Sequence, residues 1–301
     1  MQKLINELEE AQIGTILVEE PMSNHTTWKI GGPADLFIEP TDKYKLAHSL
    51  KVIKKYQVPW IVIGKGSNLL VRDQGIRGVV IKLSEGFSHI SFHDNEVTVG
   101  AGYSFIRLAV MAGKEGLTGL EFAGGIPGTV GGAIYMNAGA HGSDVSRILK
   151  DAEVLLENGD LVKYKPEELE FAYRTSLFQT RKAIVIEATF QLTHGDRKEI
   201  AKQMATHKDR RRLTQPLTMP CAGSVFRNPP GDHAGRLIES AGLKGLKVGG
   251  AQVSEKHANF IVNCGNATAQ DVLTLIEQVK QTIQERFHVT LVPEVLVLGE
   301  G

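Results

Sequence analysis

The chain has 301 residues, 42% hydrophobic and 23% charged, with 34 basic and 34 acidic side chains that cancel. At roughly 100–200 residues per domain this length holds two or three domains. The zero net charge gives no global field to draw the chain onto nucleic acid or an anionic membrane. Two cysteines, Cys221 and Cys264, make neither a disulfide framework nor a CxxC metal pattern.

In chain order, the acidic Met1–Glu10 segment reads as a helix followed by a short extended piece. It lacks the basic start and apolar run of a signal peptide. No apolar stretch approaches the ~20 residues of a membrane span, and the expectation is a cytoplasmic protein. Ala34–Glu39 reads as a strand and Lys43–Tyr56 as a helix, with Leu46, Leu50 and Ile53 at helical spacing. Trp60–Ile63 is a buried-type strand running into Gly64. Short β segments follow at Val79–Leu83, His89–Phe92 and Glu96–Val99, then a helix over Phe105–Lys114. A hairpin turns at Asn158-Gly159-Asp160 between Asp151–Glu157 and Leu161–Tyr164. Ala183–Leu192 is a further strand, and Asp196–Arg212 a charged helix leading to a last domain. There, β segments are expected near Ser224–Phe226 and at Asn259–Asn263, with a helix near Ala234–Ala241. A long helix over Ala269–Phe287, capped by Asn266 or Thr268, and a closing strand over Leu291–Leu298 complete the chain.

Glycine is the compositional outlier, at 32 residues, and it clusters. Gly64-Lys65-Gly66-Ser67-Asn68-Leu69 follows a strand, and Gly124–Gly132 holds five glycines in nine positions. Such loops place backbone N–H groups around an anion without obstruction by a Cβ. One Gly pair is explained by a turn alone; two dense clusters favour an extended dinucleotide clamped along its length. Neither loop has the Rossmann or P-loop spacing, which leaves a dinucleotide binder of another kind.

Three further places carry candidate chemistry. Arg174, beside Tyr173, either meets an anion through its planar fork or stacks on Tyr173 and pairs with a surface acid. Ser224 sits in Cys221-Ala222-Gly223-Ser224-Val225-Phe226-Arg227-Asn228 without a nucleophile elbow. Its small neighbours leave room for a ligand, and a plain polar loop is the alternative. Glu294, in the apolar closing segment, needs a partner or a task. The basic run Lys208–Arg212 is either a solvated helix end or a contact for a substrate diphosphate. The ten histidines form no ligand cluster, and no catalytic metal is expected.

These pieces occur together in one family. His25-Thr26-Thr27 with Gly31-Gly32, Gly64–Leu70, Gly125–Gly132, Asn137-Ala138-Gly139-Ala140, Tyr173-Arg174-x-Ser176, Ala222–Pro229 and Pro293-Glu294-Val295 stand in its order. The chain thus resembles the UDP-N-acetylenolpyruvoylglucosamine reductase (MurB) family along nearly its whole length. The resemblance implies an α+β fold with an FAD-binding half of the vanillyl-alcohol-oxidase (PCMH) type. That half would form two subdomains, 1–80 and 81–205, followed by an α+β substrate domain, 206–301. The compact spacing after Arg174 resembles the family's shorter type, without a mobile Tyr-bearing loop.

The resemblance also implies roles. FAD, bound non-covalently, would lie on Gly64, Lys65, Gly66, Ser67, Asn68, Leu69, Gly125, Ile126, Pro127, Gly128, Thr129, Gly131, Gly132, Ala133, Asn137, Ala138 and Gly139. NADPH would donate the hydride. Ser224 would protonate the substrate beside Arg174 and Glu294, with Tyr173, Asn228 and Arg211 contacting a UDP-sugar. The expected enzyme reduces UDP-N-acetylglucosamine enolpyruvate to UDP-N-acetylmuramate for peptidoglycan, as a monomer. An FAD oxidase of the same fold and a non-catalytic nucleotide-sugar sensor are the rival readings.

Overall fold

The helical periods of the sequence become seven α-helices in the computed structural model, which describes residues 1–301. They are α1 (Gln2–Glu10), α2 (Lys43–Lys55), α3 (Phe105–Glu115), α4 (Val130–Tyr135), α5 (Arg197–Thr214), α6 (Ala234–Ser240) and α7 (Ala269–Phe287). Local chemistry explains their ends. Asp42 caps α2, accepting the Tyr44 and Lys45 N–H groups at 2.8 and 2.9 Å. Thr268 rather than Asn266 caps α7 through a reciprocal box. Its Oγ1 accepts Asp271 N–H, and Asp271 accepts Thr268 N–H, both at 3.0 Å.

The chain forms two compact units, one of residues 1–18, 36–64 and 78–209 and the other of 19–35, 65–77 and 210–301. The first contains a five-stranded antiparallel sheet in the order Leu161–Tyr164, Leu149–Leu156, Ala183–Gln191, Glu96–Gly100, Ile90–His93. It also contains most of a four-stranded sheet ordered Gly14–Pro21, Pro33–Pro40, Ile76–Lys82, Trp60–Ile63, the last two parallel. Alternating apolar residues of these strands and the inner faces of α2 and α3 form one core, including Ile38, Ile53, Val97, Phe105 and Phe190.

The second unit packs α6 and α7 with an antiparallel sheet of Lys247–Val248, Ala251–Val253 and Ile261–Asn263. Its core includes Val253, Ile261, Val272, Leu275, Ile276, Val279 and Ile283, the apolar stripe of α7. A parallel pair, Leu69–Val71 with Leu296–Leu298, belongs to the same unit.

Three expectations change. The segment Gly124–Gly132 reads as a loop, yet its end opens α4, a single-turn helix hidden by two glycines of low helix propensity. Ser224–Phe226 is no regular strand: one bridge, Phe226 to Pro293, replaces the ladder. The closing strand spans only Leu296–Leu298, so Glu294 precedes it. No helix is long and apolar enough to cross a membrane.

Candidate active site

In the first unit Gly64 meets the second glycine-rich segment. Trp60–Ile63 delivers Gly64 against Thr129, where a Cβ at position 64 would collide with Thr129 Oγ1. Thr129 caps α4, accepting Gly132 N–H at 3.3 Å. The N–H groups of Val130 and Gly131 donate to Tyr103 O and Ala101 O, both at 2.9 Å. These three amides are engaged within the protein, so here the loop offers thin backbone rather than open N–H donors. Glu121, the only carboxylate in the 119–132 stretch, turns onto Thr118 Oγ1 at 2.6 Å and Gly119 N–H at 2.9 Å. A surface without side-chain bulk or an opposing acid fits a flat dianionic dinucleotide such as FAD.

The same unit carries the turn with Tyr173 and Arg174. Ala172 and Thr175 pair across it, and Arg174 adopts a left-handed backbone at φ 56°. Its Nη2 donates to Gly139 O at 2.8 Å, and its guanidinium lies 5.2 Å from the centre of the Tyr173 ring. Asn137, 3% exposed, holds the turn from the other side. Its amide donates to Ala172 O and accepts Ser146 N–H, each at 3.0 Å. The Asn137–Gly139 segment and the Arg174 turn are thereby one hydrogen-bonded piece.

In the second unit the backbone brings Ser224 and Glu294 together. Glu294 N–H donates to Val225 O at 2.7 Å, and Arg227 N–H to Val292 O at 2.9 Å. Asn68 Nδ2 donates to the Glu294 carbonyl at 3.1 Å, adding the loop after Gly66 to this group. Ser224 and Glu294 are half-buried. Gly223 stands at φ 77° with open space where a Cβ would project, so the residue before Ser224 is both conformationally demanding and uncrowded. Asn228 accepts Ala234 N–H at 3.1 Å at the start of α6, leaving its amide NH2 for a ligand.

Arg211, at the end of α5, is half-buried and bonds Gln215 through Nε at 2.8 Å. Burial pushes its guanidinium below the usual value, with the nearby Cys221 acting the other way. Burial likewise raises the Cys221 thiol, against the Gly223 N–H and the Arg211 charge. The basic run thus divides: Arg211 tucks beside the Cys221–Ser224 segment, while Arg212 is exposed. A separate cavity of about 330 Å³ is lined by Arg212 of the basic run with Gln215, Gln252 and Lys256 among others, and by none of Arg174, Arg211, Ser224, Asn228 and Glu294.

Two family models match the chain. Residues 34–165 match an FAD binding domain, and residues 215–298 match the UDP-N-acetylenolpyruvoylglucosamine reductase C-terminal domain. The reductase of that name from Anoxybacillus flavithermus is 58% identical over 99% of both chains. The chain belongs to the MurB family. The Bacillus subtilis reductase is 53% identical, again over 99% of each chain. The crystal structure of MurB from Thermus caldophilus superposes with a TM-score of 0.81 at 38% identity, covering 95% of this chain and 98% of that one.

As a MurB protein it has a PCMH-type FAD-binding domain joined to the MurB C-terminal domain. It is a flavin oxidoreductase of UDP-N-acetylmuramate synthesis for peptidoglycan, in a family that uses NADPH.

Two contacts that sequence reasoning did not foresee now stand out. Thr27 Oγ1 donates to Cys221 O at 2.7 Å across 194 positions, tying the His25-Thr26-Thr27 motif to the serine segment. Asn259 is only 4% exposed and bonds the backbone of Phe226. No local signal marks either pairing, because each partner is remote in the chain.

Proposed function

We propose that Arg174, Ser224 and Glu294 carry out the MurB reduction, turning UDP-N-acetylglucosamine enolpyruvate into UDP-N-acetylmuramate. When bound, FAD supplies the hydride chemistry, accepting from NADPH and delivering to the terminal carbon of the enolpyruvyl double bond. Negative charge then builds on the adjacent carbon and its carboxylate. Arg174 stabilises that charge with its guanidinium, and Glu294 lies beside the serine segment as the second polar group of the site. Ser224 Oγ–H gives the proton that completes the lactyl ether.

The observation that carries this reading is the backbone pairing of the serine segment with Glu294, 2.7 Å from Glu294 N to Val225 O. The loop residues Gly64–Leu69, Gly125–Thr129, Gly131–Ala133 and Asn137–Gly139 hold the flavin in this proposal. Asn228, Tyr173 and Arg211 contact the UDP-sugar. Supporting Arg211 is its half-buried guanidinium, bonded to a neutral amide. The functional division is two flavin subdomains, 1–80 and 81–205, and a substrate domain, 206–301. The enzyme works as a cytoplasmic monomer of the shorter MurB type.

The test is the visible spectrum of the purified protein without oxygen. Flavin bands that bleach with NADPH and return with the enolpyruvyl UDP-sugar support the reading. Bands that bleach and ignore the sugar overturn the substrate and point to another acceptor, oxygen first. Absence of flavin bands after incubation with FAD overturns the cofactor assignment.

A further inference from the structure

Gln179 follows the Tyr173-Arg174-x-Ser176 motif and lies outside every motif of the resemblance, yet its side chain sits at the centre of the Arg174 turn. Its Nε2 donates to Arg174 O at 2.9 Å and to Tyr135 O at 3.1 Å, with Met136 Sδ at 3.8 Å. An amide NH2 has two hydrogens, and the two carbonyls use both. All these neighbours are acceptors, so only the NH2 end of the amide suits the site.

Two features make these bonds consequential. First, Arg174 is a non-glycine residue at φ 56°, a backbone that is strained for an L-residue and persists only where its surroundings impose it. The bond from Gln179 acts on the carbonyl of that residue. Second, Tyr135 is the last residue of α4, whose terminal carbonyls lack helical partners. Tyr135 O accepts Gln179 and also Ser176 Oγ, at 2.7 Å. The helix that starts at Thr129 against Gly64 therefore ends on the residues that hold the arginine turn.

We propose that Gln179 is the positioning residue of Arg174: its amide fixes the left-handed turn to the end of α4 and so sets where the guanidinium projects. This rests on Arg174 acting in the reduction of the enolpyruvyl group. Gln179 touches no substrate atom and acts through Arg174 alone.

The experiment compares Gln179→Met, close in shape and without a donor, and Gln179→Glu with Arg174→Met in the full-length holoenzyme. For Gln179→Met, flavin content and the rate of bleaching by NADPH stay within about twofold of wild type. Reoxidation by the UDP-sugar slows by about ten- to a hundredfold, the scale of a misplaced catalytic group. In the apoprotein, hydrogen exchange of the 172–176 amides becomes faster, a readout independent of turnover. Gln179→Glu places an anion against two carbonyls. Its reoxidation rate, divided by its own bleaching rate, rises as pH falls and the protonated acid regains a donor. That internal ratio keeps the test decisive should the Met variant fold poorly. Normal reoxidation in Gln179→Met, or a flat ratio in Gln179→Glu, overturns the proposal while slow reoxidation in Arg174→Met preserves the role of the arginine. Normal reoxidation in Arg174→Met overturns the parent reading itself.

Discussion

Asn259 clasps both backbone groups of Phe226, its Oδ1 accepting the N–H at 2.9 Å and its Nδ2 donating to the C=O at 2.8 Å. A side-chain amide thus replaces a neighbouring strand and holds the segment two residues beyond Ser224. Both residues are nearly inaccessible, at 4% and 2% exposure. Asn259→Ala should strand two buried polar groups and lower stability by roughly 2–6 kcal/mol, at ~1–3 kcal/mol for each. Urea denaturation checks this; a loss below about 1 kcal/mol would mean that the clasp is not needed.

Ser224→Ala should separate the two halves of turnover. Bleaching by NADPH is expected at the wild-type rate, and recovery of the flavin bands with the UDP-sugar is expected to slow at least about a hundredfold, the scale of general acid catalysis. Stopped-flow absorbance measures both in one protein. Normal recovery would remove Ser224 as the proton donor.

Arg211→Met should weaken binding more than chemistry. Loss of a charge-assisted contact to a substrate anion is worth about 1.5–3 kcal/mol, or roughly 10–100-fold in KM. Steady-state kinetics should show this rise with kcat little changed. An unaltered KM would return Arg211 to a structural role beside Cys221.

Gly64→Val should act on the cofactor. The added Cβ displaces Thr129 Oγ1, the cap of α4, and disturbs the meeting of the two loops. The ratio of flavin to protein absorbance after purification should fall, with a fold still seen by far-UV circular dichroism. Full flavin content would show that the contact at Gly64 is dispensable.

Asp271 should make the second unit acid-sensitive. The Thr268 N–H foremost, with Gly250 N–H in support and burial opposing, holds its carboxyl below the usual value. The unfolded chain titrates near the ordinary value of about 3.9. The stabilisation is therefore complete above that value and disappears as pH falls through the lower folded value. The Tm difference between wild type and Asp271→Ala should be constant from about pH 7 to 5 and close below about pH 4. A difference unchanged at low pH would mean that charge on Asp271 is irrelevant to the cap.

Apolar spacing and caps were legible locally. The stripe from Val272 to Ile283, with a cap at Asn266 or Thr268, defines α7 with no knowledge of its neighbours, and the structure settles the cap on Thr268. α4 was not legible, since Gly131 and Gly132 read as loop and become helical only because Ala101 and Tyr103 accept the N–H groups at its start. The motif residues Arg174, Ser224 and Glu294 could be named from their order along the chain. What grips them could not: Asn137 reaches Ala172 across 35 positions and Thr27 reaches Cys221 across 194.

The sequence by itself determined the family and the cofactor class, because these reside in short ordered motifs. Only the tertiary structure decided which amides are already engaged, which of the clustered arginines is half-buried, and which remote side chains hold the candidate site residues. Those properties depend on hydrogen bonds and burial between segments far apart in the chain, and no local pattern encodes such pairings.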